Sequence, residues 1–215
     1  MKDLVIFGAS GFGREVAWLA ERINNVTPTW NILGFIDDDE NIQGKNINGY
    51  CVLGKTADSL KYRDAYFVVA VGASKTRKKI VDNLRHANPD IKFGILIDPT
   101  VEMSQFVTIG EGSIICAHTI ITVNVSIESH VIINLDCTVG HDAVIKDFAT
   151  LYPSVNVSGA VNIGYDTEIG TGTQIIQGKS VGDDCIVGAG AVVTKDIEEV
   201  GTYVGVPAGK LNRTP

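Results

Sequence analysis

The sequence predicts two architectures in one chain: an α/β domain with a Rossmann-like parallel sheet over residues 1–95, then a parallel β-helix over residues 96–215 that ends in a short tail. Three observations predict this. An apolar residue recurs at every sixth position from Ile97 to Val193 without one insertion, seventeen times in succession. No such period exists before residue 95, where short apolar strands alternate with a glycine-rich turn and amphipathic helices. The composition is that of an ordinary globular chain, with 45% hydrophobic and 20% charged residues among 215.

In the first domain, Leu4 to Phe7 reads as a short strand and Gly8-Ala9-Ser10-Gly11-Phe12-Gly13 as a tight turn. Arg14 to Ile23 follows as a helix with Val16, Leu19, Ala20 and Ile23 on one side. A second strand, Ile32 to Ile36, runs into Asp37-Asp38-Asp39. A third, Phe67 to Val71, ends at Gly72, and a basic helix begins at Ser74. Strand, glycine turn, helix, strand is the order of a parallel sheet whose ligand loops follow the strands. The glycine turn admits two readings: a phosphate cradle at a helix N-terminus, or a tight turn that binds nothing. Its Gly-x-x-Gly-x-Gly spacing is not the dinucleotide fingerprint, so NAD is not expected. Asp37 and Asp38, at the adjacent strand end, are placed to accept hydrogen bonds from a ribose or base, and Gly72 lets a ligand approach the third strand.

In the second domain the series is Ile97, Met103, Ile109, Ile115, Ile121 and onward to Val187 and Val193. Four positions after each, small or β-branched residues recur, Lys179 excepted. A period of six matches neither a helix nor a hairpin. It matches short strands that turn a corner every sixth residue and point two side chains inward per side. Glycine follows the apolar residue at Gly110, Gly140, Gly164, Gly170, Gly182 and Gly188, and we read these as corners with unusual dihedrals.

Charge and cysteine content exclude several classes. The formal net charge of −7 argues against nucleic acid or an anionic membrane as partner. No apolar run approaches the roughly 20 residues that span a bilayer, and the N-terminus enters a strand without a signal peptide, so a cytoplasmic location is expected. Cys51, Cys116, Cys137 and Cys185 form no Cys-x-x-Cys pair and are expected to be reduced packing residues.

The repeat resembles the hexapeptide-repeat acyltransferases, which implies a left-handed, three-sided prism with 18 residues per coil. Both halves together, from Gly8-Ala9-Ser10-Gly11-Phe12-Gly13 and Gly34-Phe35-Ile36-Asp37-Asp38 through the hexapeptides to Gly205-Val206-Pro207-Ala208, resemble the sialic acid O-acetyltransferase and bacillosamine-type N-acetyltransferase family. That resemblance implies a nucleotide-sugar substrate held by Ser10, Gly11, Phe12, Asp37, Asp38 and Gly72, and a homotrimer that binds acetyl-CoA between subunits. It implies acetyl-CoA contacts at Thr150, Gly159, Thr171 and Ala189. Several relatives carry histidine at the positions of Phe12 and Thr150.

His118, His130 and His141 differ in phase within an 18-residue coil, so they do not stack into a three-histidine metal site, and the implied reaction needs no metal. His141 follows Val139-Gly140 and precedes Asp142, matching the family's catalytic His-acid pair. A neutral imidazole suits removal of a proton from a sugar amine or hydroxyl that attacks a thioester, and Asp142, or another carboxylate in the folded site, would hold its tautomer. The bland reading of His141 is a solvated corner histidine. One coil on from residue 141 is Gly159, whose N–H is positioned to meet an oxyanion; Val123 and Gln177 share the same corner. The expected function is N-acetylation of a nucleotide-linked amino sugar in surface-glycan synthesis, with sugar or sialic acid O-acetylation and a non-catalytic nucleotide-sugar-binding trimer as the rivals.

Overall fold

A computed structural model describes residues 1–211 of the chain. The last four residues of the expected tail, 212–215, lie outside the described residues. The chain divides into two compact units, residues 1–99 and 100–215.

In the first unit, β1 (Lys2–Phe7) leads through the glycine turn into α1 (Gly11–Val26), followed by β2 (Trp30–Ile36), β3 (Asn46–Ile47), β4 (Tyr50–Gly54), β5 (Tyr66–Val69), α2 (Ser74–Ala87) and β6 (Lys92–Phe93). The sheet order is β3-β4-β2-β1-β5-β6, parallel throughout except for the β3–β4 hairpin. This parallel order brings the C-terminal ends of β2, β1 and β5 side by side, which is where the expected ligand loops leave the sheet. β1 reads as one unbroken apolar run, Leu4 to Phe7, because it is covered on both faces. Two glycines make its turn. Gly8 adopts φ 99°, and a Cβ on Gly13 would run into the Gly8 carbonyl. The helix therefore packs on the turn more closely than any side chain at 13 would permit.

The second unit is a regular coil of two-residue strands spaced six residues apart, from Glu102–Met103 to Val192–Val193. Each pairs in parallel with the strand one coil, 18 residues, further on: Ile115 with Ile133, Ile121 with Val139, Ile127 with Ile145. Three sheets result, and the recurrent apolar residues fill the space they enclose. From Ile115 to Val193 every one of them is at most 2% exposed. Met103 at the start of the coil remains 47% exposed. The far end is closed by Thr202–Val204, parallel to Ile186–Val187, and by Gly209–Lys210, which turns back on it through Gly205 at φ 95° and the cis Val206–Pro207 bond.

The corner dihedrals fall elsewhere than the glycines suggest. Left-handed backbone occurs three residues after each recurrent apolar position from Ile109 to Val187, at His118, Asn124, His130, Asp136, Asp142, Phe148, Ser154, Ala160, Asp166 and Asp184 and at Gly112, Gly172, Gly178 and Gly190. Asn and Asp are common there because their short polar side chains tolerate positive φ. Gly110, Gly140, Gly164, Gly170, Gly182 and Gly188 are not in that region. They are glycine for lack of room: a Cβ on Gly140 would lie 2.5 Å from the Gly159 nitrogen of the next coil. Cys116, Cys137 and Cys185 are buried, but Cys51 is exposed on β4 and is not a packing residue.

Candidate active site

At the loop ends of the first unit, the Gly8 N–H donates to Ile36 O (2.8 Å) and the Ala9 N–H to Asp37 Oδ2 (2.8 Å), so Asp37 staples the glycine turn to the end of β2. Its other oxygen accepts from the Asp39 N–H at 2.9 Å. Asp38 instead accepts from the Thr56 N–H and hydroxyl (2.8 Å each). Each carboxylate keeps lone pairs beyond these bonds. Ser10 and Gly11 are exposed, and Phe12 is half-buried. Gly72 is held from a direction that the sequence reading missed. Arg77, on the helix read as basic, is fully buried, and its guanidinium donates to Val71 O (2.7 Å) and Gly72 O (2.9 Å). A basic run gives no sign of which cation turns inward. An open pocket of about 320 Å³ beside α1 is lined by Gly11, Arg14, Glu15, Trp18 and Asn48, and of the expected ligand residues it includes Gly11 alone.

On the coil, His141 sits at the corner between strands Thr138–Val139 and Val144–Ile145, its side chain half-exposed. Nδ1 lies 2.8 Å from Asp142 Oδ2. Asp142 Oδ1 accepts from the Asn124 amide of the preceding coil at 3.2 Å. The bond to His141, and then the bond to Asn124, hold the Asp142 carboxyl below its ordinary range. An ionised carboxylate only accepts hydrogen bonds, so Nδ1 carries the proton and Nε2 keeps a free lone pair. Gly159 lies directly against the ring, since a Cβ built there would overlap His141 Nε2, Cε1 and Cδ2. The His141 carbonyl accepts from Ala160 N at 2.7 Å, which locks the two coils in register.

On one other corner of the coil, two outward N–H groups are capped by a carboxylate one coil further on. Ser129 N donates to Asp147 Oδ1 (2.6 Å) and Tyr165 N to Asp183 Oδ1 (2.8 Å). At the His141 corner the corresponding residues are Gly159 and Gln177. The Gly159 N–H is buried, and among the described residues it has no acceptor. Such a donor beside an imidazole with a free Nε2 suits a centre where negative charge develops during proton removal.

Thr171 and Ala189 stack on a different corner, exposed, with Gly190 N donating to Thr171 O at 2.8 Å. That corner is a full side of the prism away from Gly159, so one coil does not bring the expected acetyl-CoA contacts together. Thr150 departs further from expectation. It lies in a strand rather than at a corner, and it is fully buried, so its side chain offers a ligand no surface. His130 is also buried, with its ring stacked on Phe148 at 5.0 Å.

Residues 3–84 match the PglD N-terminal domain family. The whole chain is similar to the acetyltransferase domain of PglB from Neisseria gonorrhoeae FA1090: 32% identity over 98% of this chain and 100% of that one, TM-score 0.87. It is similar to WeeI from Acinetobacter baumannii AYE at 31% identity, over 98% of this chain and 100% of that one, TM-score 0.85. PerB from Caulobacter crescentus, in complex with CoA and GDP-perosamine, matches at 26% identity over 99% of this chain and 98% of that one, TM-score 0.89. The coil is accordingly a left-handed β-helix. From end to end, in the α/β unit and in every turn of the coil, the chain belongs to the hexapeptide-repeat sugar acetyltransferases.

Proposed function

We propose that this protein moves an acetyl group from acetyl-CoA to the amino group of a nucleotide-linked amino sugar, with His141 as general base. The observation that carries the reading is the His141 imidazole, fixed through Nδ1 by an ionised Asp142 and lying against Gly159, whose N–H has no acceptor among the described residues. Whole-length relatives support the two substrates: the Neisseria domain is also known in complex with acetyl-CoA. The Caulobacter perosamine N-acetyltransferase is known with CoA and GDP-perosamine, including variants in which a histidine is replaced by asparagine or alanine.

The sugar amine attacks the thioester carbonyl while Nε2 of His141 takes its proton. Charge collects on the carbonyl oxygen, which the Gly159 N–H meets. Collapse breaks the C–S bond, CoA leaves as the thiolate, and the proton returns to it from the imidazolium. Asp142 holds the tautomer and stabilises the imidazolium without taking the proton itself. Acetyl-CoA lies along Gly159, Thr171 and Ala189. The nucleotide sugar is held by Ser10, Gly11, Phe12, Asp38 and Gly72, and Asp37 both shapes that loop and offers its remaining lone pairs. Acetyl-CoA is a cytoplasmic metabolite, and we assign the reaction to that compartment.

The assembly in this reading is a homotrimer. Thr171 and Ala189 sit on one corner of the prism and His141 and Gly159 on another, and the intersubunit groove that the family resemblance implies would bring the two sets together from neighbouring copies. Sedimentation should give three chains per particle at micromolar concentration, and a monomer there would remove the shared groove. The function itself is tested by incubating the protein with acetyl-CoA and UDP-, GDP- and dTDP-linked amino sugars, reading thiol release together with product mass. One of the amino sugars should gain a single acetyl group. Acetylation only of hydroxyl acceptors would replace the amine in this reading.

A further inference from the structure

We infer that Asn124 is a positioning residue for the acetyl transfer, holding the Asp142 carboxylate in the orientation that fixes the His141 imidazole. The inference rests on the role of His141 proposed above. Asn124 touches no reacting atom. It stands one coil before Asp142 on the same corner, both residues have left-handed backbone (φ 56° and 60°), and its amide donates to Asp142 Oδ1 while Oδ2 faces His141 Nδ1.

The geometry explains why the pair needs a third member. Asp142 is an exposed corner residue, with a carboxylate free to rotate unless its second oxygen is engaged, and a rotated carboxylate frees the ring to leave Gly159. The following coil has Ala160 at this position and cannot hold the carboxylate from the other side. Among the described residues, no charged or titratable group apart from His141 itself acts on Asp142, and Asn124 is the other polar group that orients it. An amide also orients the carboxylate without adding charge, which a lysine here would not do: a second cation beside the pair would oppose protonation of the imidazole. Residue type at a left-handed corner is restricted, and asparagine satisfies both the backbone and the donor requirement.

Asn124→Gly is the direct test, because glycine keeps the positive φ without strain and removes only the amide. It should lower kcat by about three- to tenfold, the scale of one ordinary hydrogen bond at an exposed site. KM for both substrates and the melting temperature should stay near native. In an Asp142→Ala background the same substitution should have no further effect, because its only route to His141 is gone. Should Asn124→Gly not fold, Asn124→Ala, neutral and of the residue type that holds left-handed backbone at Ala160 of the same corner, removes the same donor and carries the same comparison. Native kcat in Asn124→Gly would overturn the inference, as would a full additional loss in the Asp142→Ala background. His141→Ala, run alongside, separates the two levels. If it retains turnover, the catalytic reading falls and this inference with it. If it loses turnover while Asn124→Gly behaves as native, only the role of Asn124 is withdrawn.

Discussion

His141→Ala should lower kcat by about a hundredfold to ten-thousandfold, the usual contribution of a positioned general base, equivalent to roughly 3–5 kcal/mol of barrier. The melting temperature should hardly change. The side chain is half-exposed at a corner, outside the apolar interior that runs from Ile115 to Val193, so its removal leaves no cavity. Acetyl-CoA affinity should also persist, because the expected contacts at Thr171 and Ala189 lie on another corner. Asp142 is held below the ordinary carboxylate range by His141 and then by Asn124. It therefore stays ionised as the pH falls through the range in which imidazoles titrate. An acid-side loss of native activity in that range is then not a loss of the Asp142 carboxylate. Near-native turnover by folded His141→Ala with a verified acceptor would transfer deprotonation to another group or to bulk water.

The coil was legible because its period is a direct consequence of geometry. Two inward side chains per side and three sides per turn force an apolar residue every sixth position, and nothing else in the chain competes with that signal. The same arithmetic reached Gly159 from His141, and applied backwards from Asp142 it reaches Asn124, which was overlooked because an exposed asparagine has no chemistry until its neighbour one coil away is considered. The glycines at 110, 140, 164, 170, 182 and 188 were placed at corners on the assumption that glycine marks positive φ; crowding between successive coils produces the same residue for a different reason. In the first unit the three central strands and both helices followed from apolar runs and from the glycine turn. The β3–β4 hairpin did not, although Asn48-Gly49 at its turn is a type of pair that favours positive φ at both positions. The burial of Arg77 could not be read from a helix with five basic residues, since which cation faces the sheet depends on where the Val71 and Gly72 carbonyls end.

Gly159→Ala should lower kcat by about a hundredfold, the scale expected when a catalytic group is displaced by about 1 Å. The cause is steric. A Cβ at 159 occupies the space of the His141 ring, and the ring must move away from the position in which Nδ1 meets Asp142 and the ring lies against Gly159. Backbone strain is not part of the effect, because Gly159 is outside the left-handed region and alanine accepts its dihedrals. The obstacle is the end of a half-exposed side chain rather than packed backbone, so the protein should yield by swinging the imidazole into solvent and keep its melting temperature. This separates position 159 from position 140, where the added Cβ would meet the backbone of the next coil and the whole corner would have to shift. The route of the loss can be resolved by combining the two catalytic-corner variants. If Gly159→Ala acts only by displacing His141, then His141→Ala and the double variant should have the same kcat. A further drop in the double variant would show that the methyl also hinders the Gly159 N–H from meeting the carbonyl oxygen, which makes 159 a direct participant. Native kcat in a correctly folded Gly159→Ala would mean that the ring position against Gly159 is not the one from which the proton is taken.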